Sequence, residues 1–320
     1  MDRQAHYDVT GTVHLADPKA VEAAVIDLLT GRFTDIDVDL IARAFETFGK
    51  LFAGLLPGFK GCDTWYHDAR HSLDATLAFA RLIDGYEKTV PPAEQLGAER
   101  AMLGVIIALF HDAGYVRSDR DVGHRNGAEF TLCHVARSGA FISDFLQGTR
   151  LEKYADVSRQ IVHFTGYEIA LDKIRVSDPR DRHLGFFLGT VDLLAQMADA
   201  CYLEKCWHHL YREFAICGLA GEARPGRPKP VYSSADDLMR KTPDFNRMVW
   251  KDRLDGYFEG CYRYLNAHFN GDNPYINAID EHVARLDHLL ADDALHELAD
   301  EPEVIGAAQL RSTLSSFSAV

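Results

Sequence analysis

The chain reads as an all-α protein. Apolar positions recur at helical intervals from end to end, caps and Pro/Gly breakers divide those stretches, and only YDVTGTVHL near the N-terminus alternates, weakly, like a strand. Asp17-Pro18 supplies a cap and a first-turn proline for KAVEAAVIDLLTG, with Gly31 as the stop. A second amphipathic stretch runs from about Val38 to Leu56 and stops at Pro57-Gly58. A third helix is expected from about Asp63 to Ile83. After Pro91-Pro92, ERAMLGVIIALFHDAG is apolar nearly all round at its centre, which predicts a buried helix. Further helices are expected over 124–147, 151–167, 180–215, 243–269, 274–290 and 304–316, and no fixed-period repeat is present. The break GLAGEARPGRPKPVY, residues 218–232, reads either as a domain boundary or as an exposed loop. The aromatics of MVWKDRLDGYFEGCYRYLNAHF recur at helical intervals, so that segment reads as a packing helix. The expectation is one domain, with a core at about 60–215 and a C-terminal helical extension at about 233–320.

Composition narrows the function. The chain has 320 residues, and 34 Lys and Arg against 48 Asp and Glu give a net charge of −14. That argues against broad nucleic-acid binding, which needs a basic footprint, but leaves room for a local basic patch on a small anionic substrate. Six cysteines without CxxC spacing fit a reduced compartment. The N-terminus lacks a signal-like apolar core, and no apolar run approaches ~20 residues. A soluble cytoplasmic protein with no membrane partner is expected.

Chemistry concentrates in three places. In WYHDARHSLD, spacings of four and three put His67, His71 and Asp74 on one face of a helix that starts at Asp63. In ALFHDAGY, His111 and Asp112 at a helix end can both turn to one centre, with Gly114 ending the helix. In GTVDLLAQMADA, Asp192 interrupts an apolar helix, where an unpaired carboxylate is costly to bury, and Gln196 and Asp199 follow on its face. Any single one of the fifteen histidines is more often a surface or hydrogen-bonded core residue. The ordered set is what points to metal, because imidazole and bridging carboxylate are the ligands of hydrolytic dinuclear sites.

The order H…HD…D resembles the HD-domain metal-dependent phosphohydrolases. Tyr66-His67-Asp68-Ala69-Arg70-His71-Ser72-Leu73-Asp74 further resembles the Y-H-N-x-x-H-A-x-D signature of class I cyclic nucleotide phosphodiesterases, with Asp68 for Asn and Ser72 for Ala. The likeness covers roughly residues 60–215. It implies that His71, His111, Asp112 and Asp192 hold a first metal and that Asp112 bridges to a second. His67 would stay uncoordinated and protonate the leaving oxygen, oriented by Asp74 or Asp68. After HDAGY the chain leaves the animal-type pattern. His124 in GHRNGAEF and His163 in RQIVHFTGY resemble the third and fourth histidines of bacterial HD proteins, including the HD-GYP group, although the GYP tripeptide itself is absent. They would then be ligands, or else hydrogen-bond substrate or a nearby water. His134 in TLCHVAR is the rival to His124, and His208-His209 read as lying behind the site or on the surface.

Arg117, Arg120 and Arg125 surround the expected site mouth, where guanidinium groups would bind phosphate bidentately; the plainer reading of each is a solvated Arg-Asp pair. Tyr66, Gln196 and Lys205 complete the expected substrate contacts. The glutamine that grips the purine in animal cyclic nucleotide phosphodiesterases has no counterpart in sequence context. The expected function is a phosphodiesterase acting on a nucleotide or cyclic nucleotide through two divalent metal ions, Fe, Mn, Zn or Mg, with His67 and Asp112 as catalytic residues. An HD-fold mixed-valent diiron oxygenase is the alternative, since it uses the same ligand order. A non-catalytic sensor on the same fold is disfavoured by the intact motifs. A homodimer is compatible with the sequence.

Overall fold

The structure is a computed structural model and describes residues 3–223 and 229–317. The fold is all-α, and among the described residues extended pairing is limited to isolated bridges. Helices α1 (Pro18–Arg32) and α2 (Val38–Ala53) pack together at the start, each opened by an aspartate cap, Asp17 and Asp37. α3 (Ala69–Thr89) and α4 (Gly97–Phe110) follow, then α5 (His134–Leu146), α6 (Ala155–Ile161) and α7 (Pro179–Ala198). α8 (Tyr202–Lys205), a π-turn at Cys206–Leu210 and α9 (Tyr211–Cys217) run on from a 98° bend. The C-terminal part contains α10 (Ala235–Met248), α11 (Tyr264–His268), α12 (Pro274–Ala291) and α13 (Ala307–Phe317).

α3 is the axis of the molecule. Residues Ala69 to Glu87 are all buried, because α1, α4, α7 and α11 pack around it. Its charged side chains therefore need partners. Arg81 donates to Asp8 (2.6 Å) and to the Tyr275 hydroxyl (3.0 Å). Asp84 accepts from Arg32, Lys88 and His268 at 2.6–3.0 Å. Glu87 takes the amide of Leu96 (2.7 Å) and so fixes the turn into α4. At Gly85 a Cβ would lie 1.9 Å from the Tyr264 carbonyl oxygen, so only glycine lets α11 approach this closely. One buried apolar cluster reaches from Leu15 to Leu310, so the C-terminal helices share the core of the N-terminal ones.

Several expected boundaries move, each for a local reason. YDVTGTVHL is not a strand. The Asp8 carboxylate accepts the amides of Thr10, Thr12 and Val13 and folds the segment into a loop closed by one bridge, Tyr7 to His14. α1 continues through Gly31, and α2 stops at Ala53, where Gly54 takes the left-handed conformation (φ 70°). α3 begins at Ala69 and not at Asp63, because Asp68 is its N-cap. The stretch 124–147 divides into a turn at Gly127–Phe130, closed by an Asn126–Glu129 capping box, and α5. In 151–167, α6 is flanked by short 3-10 turns. In 180–215, Asp199 leaves the helical region and its carboxylate accepts the Cys201 amide, which turns the chain. The stretch 243–269 breaks at Glu259 and Gly260, both at positive φ. The loop 218–232 lies outside the described residues at 224–228; its flanks meet at a bridge between Ala220 and Tyr232. Among the described residues no single helix is long and apolar enough to cross a membrane.

Asp84 gives a pH test of this packing. Burial alone would raise its pKa, but hydrogen bonds from His268, Lys88 and Arg32 outweigh burial and hold it well below the usual carboxylate range. Its stabilising effect is therefore complete above the unfolded-state value of about 3.9 and is lost as pH falls below it. Asp84→Asn should destabilise the protein clearly at pH 6, with the deficit shrinking progressively as pH falls from about 4 toward 2, measured by urea unfolding. A deficit that stays constant over that range would contradict the pairing.

Candidate metal centre

Three helices deliver the central residues. His71 sits in the first turn of α3, its amide bound to the capping Asp68 carboxylate at 3.1 Å. His111 is the C-cap of α4, and Asp112 follows with non-helical backbone (φ −104°, ψ 7°), so the adjacent pair can face one point. Asp192 comes from the middle of α7, with apolar neighbours on both sides.

The four side chains converge. His71 Nε2 lies 3.2 Å from His111 Nε2, 3.1 Å from Asp192 Oδ1 and 3.5 Å from Asp112 Oδ2. His111 Nε2 lies 3.3 Å from Asp112 Oδ2 and 3.4 Å from Asp192 Oδ1. All four are buried. Two features suit a cation at their centre. Asp112 Oδ2 is buried without a hydrogen-bond partner, which is a costly arrangement for a carboxylate. His111 Nδ1 lies 2.7 Å from the Ala108 carbonyl, which accepts its N–H and leaves Nε2 as a bare lone pair facing the carboxylates. His71, His111 and Asp112 alone already form a buried group able to hold a metal ion. Burial works against charge here, yet Asp112 and Asp192 outweigh it and raise the pKa of His111, while the histidines lower both carboxylates. A cation would displace that proton, so binding should weaken in acid.

His134 stands on the other side of Asp112. Its Nε2 lies 3.6 Å from Asp112 Oδ1, and the Thr131 carbonyl accepts from Nδ1 (2.9 Å). Burial pushes its pKa down to about 4, so the ring is neutral, as a ligand must be. The two oxygens of Asp112 thus face different histidines, Oδ2 toward His71 and His111 and Oδ1 toward His134.

His67 precedes the α3 cap and so does not share a helix face with His71, but it borders a cavity also lined by His111, Asp112, His134 and Asp192. Its Nδ1 lies 2.6 Å from Glu213 Oε2. Glu213, fully buried on α9, also accepts the amides of Trp65, Tyr66 and His67. Tyr115 is sandwiched between the His67 and His134 rings, at centroid distances of 4.5 and 4.2 Å. Desolvation opposes protonation of His67, but Glu213, then Asp112 and Asp192, outweigh it and raise its pKa.

Other expected residues lie elsewhere. His124 is exposed, its ring against Phe130, and it is His134 that lies beside Asp112. His163 is buried with Nδ1 4.0 Å from Glu168, and no contact joins it to the four central residues among the described interactions. Arg117 is spent on Asp63 (2.6 Å) and the His124 carbonyl, while Arg120 and Arg125 are exposed; none of the three borders the cavity. Lys205 is buried on Asp199 (2.8 Å), behind the site. Tyr66 and Gln196 do line the cavity: Gln196 donates to Asp192 (2.7 Å) and accepts from the Tyr66 hydroxyl (3.3 Å). Asp68 caps α3, and Asp74 is grouped with Asp199, Arg81, Asp8 and Arg70, so neither orients His67. His208 binds the Leu298 carbonyl, and His209 is buried 3.6 Å from Glu301. Glu213 was not anticipated. The only signal available was a glutamate flanked by Arg212 and Phe214 in CWHHLYREF, which does not single it out from a surface residue.

No protein-family model matches the chain, and no curated protein matches it.

Elemental analysis of purified variants tests the centre. His111→Ala and Asp112→Ala should lose bound metal altogether. His134→Ala should lower metal content partially, while His124→Ala should leave it unchanged. Full metal content in Asp112→Ala would overturn the assignment.

Proposed function

We propose that the chain is a metal-dependent phosphohydrolase of the HD type that cleaves a phosphodiester. The observation that carries this reading is His67. Glu213 occupies its Nδ1, so Nε2 is the nitrogen left to face the cavity beside the His/Asp cluster. An imidazole held in this way, with its pKa raised, suits proton donation to a leaving oxygen.

His71, His111, Asp112 and Asp192 would hold one divalent ion, and a second would lie between Asp112 and His134. When bound, such ions supply Lewis acidity toward water and toward the phosphoester oxygens. The remaining work falls to the chain. Gln196 fixes the Asp192 carboxylate, the Thr131 and Ala108 carbonyls fix the tautomers of His134 and His111, and Glu213 fixes the acid. The sequence resemblance supports the same roles for His67, His71, His111, Asp112 and Asp192, and it alone suggests nucleotides. The oxygenase alternative draws on the same ligand order, and a general acid held beside the cluster by Glu213 favours hydrolysis over it.

His67→Ala should cut turnover of an alkyl phosphodiester by ~10²–10⁴-fold with metal still bound. A p-nitrophenolate leaving group needs little protonation, so that ester should suffer far less. Glu213→Gln removes the charge that raises the His67 pKa and should move the alkaline limb of the rate profile to lower pH. Equal losses on both esters would reject the acid role.

A further inference from the structure

The cavity beside the metal centre has about 520 Å³, within the ~300–1,000 Å³ of small-molecule sites. Its lining combines His67, Asp112, His134 and Asp192 with an apolar set, Leu193, Met197, Leu210, Phe214, Leu238 and Phe245. Phe214 stacks on Tyr232 at 5.6 Å with planes 10° apart, adding a flat aromatic face.

Most polar side chains on these walls already bond within the chain, whereas the buried Tyr115 hydroxyl makes no hydrogen bond among the described residues. Thr131, Thr165 and Thr242 donate their hydroxyls to the carbonyls of Ala128, Val162 and Leu238 at 2.8–3.0 Å. The Tyr202 hydroxyl donates to Asn246, and both ends of the Gln196 amide are used by Asp192 and Tyr66. Glu168 takes the amides of Val135 and Ala136. Among the described residues no Arg or Lys borders the cavity, whereas three carboxylates do: Asp112, Asp192 and Glu168. Arg253 is close, but it lies behind the wall, its guanidinium over the Tyr167 ring at 3.7 Å and bound to the Gly166 carbonyl.

A nucleoside would bring a base edge and ribose hydroxyls to walls that are mostly apolar, and a second phosphate would meet three carboxylates and, among the described residues, no bordering cation. Leaving such groups unpaired is costly. We infer that the phosphodiester carries an uncharged apolar group, alkyl or aryl, seated against the apolar lining of this cavity. This rests on the hydrolase reading above and narrows its substrate from nucleotides to apolar esters.

Alkyl p-nitrophenyl phosphates from methyl to octyl, beside the thymidine 5′-ester, test it with the metal-loaded enzyme. kcat/KM should climb by about three- to fourfold per methylene, the usual worth of a buried CH₂, and level off once the cavity is filled. The octyl ester should outrun the nucleoside ester. Leu238→Asn or Phe245→Ser should reduce the octyl-to-methyl ratio at least tenfold. A flat series, or preference for the nucleoside ester, overturns the inference. If Mn, Fe, Zn and Mg all give no cleavage, the hydrolase reading fails, and calorimetry decides the subsite separately. Octylphosphonate binding at least tenfold tighter than methylphosphonate sustains it, and equal affinities reject it.

Discussion

Asp112 and Asp192 are buried against the same two imidazole nitrogens, and holding two like charges out of water is the constraint the rest of the chain meets. The arrangement is affordable only if positive charge stands between them, as protons on the histidines or as a cation. That requires nitrogen atoms aimed inward with tolerances of a fraction of an ångström. Rigid elements provide the aim: His71, His111 and Asp192 are fixed by α3, the end of α4 and the middle of α7, and α4 and α7 both pack on α3. The carbonyls of Ala108 and Thr131 then fix which nitrogen of His111 and His134 is bare.

The all-helical class and the four central residues were legible because each depends on local pattern. A carboxylate amid leucines and a histidine-aspartate pair at the end of an apolar run stand out in one dimension. What failed were inferences of direction. His67 and His71 seemed to share a helix face, yet Asp68 caps α3 between them; an aspartate three residues before His71 was itself a readable cap signal. His124 and His134 seemed to share one helix, but Asn126 and Glu129 form a capping box between them. The partners of Arg117 and His67 were not legible, since Asp63 is 54 positions away and Glu213 is 146.

Glu213 shows how a loop can be as exact as a helix. One oxygen gathers three successive amides at Trp65, Tyr66 and His67, and the other takes the imidazole. Segment 65–67 therefore has a rigid frame although its backbone is irregular. Glu213 reaches it from α9, directly after the π-turn at Cys206–Leu210, a kind of irregularity often found where a chain must place one side chain.

Asp68 joins distant parts of the chain. One oxygen caps α3 and the other receives the amide of Ile305, 237 positions later. Nearby, Arg70 donates to the Ala5 carbonyl, so both termini close on the start of the same helix. During synthesis all four central residues emerge from the ribosome well before Ile305 does. A nascent chain thus carries these four residues for some time without the clasp at Asp68, and the arrival of the stretch around Ile305 sets when the cluster reaches its final geometry.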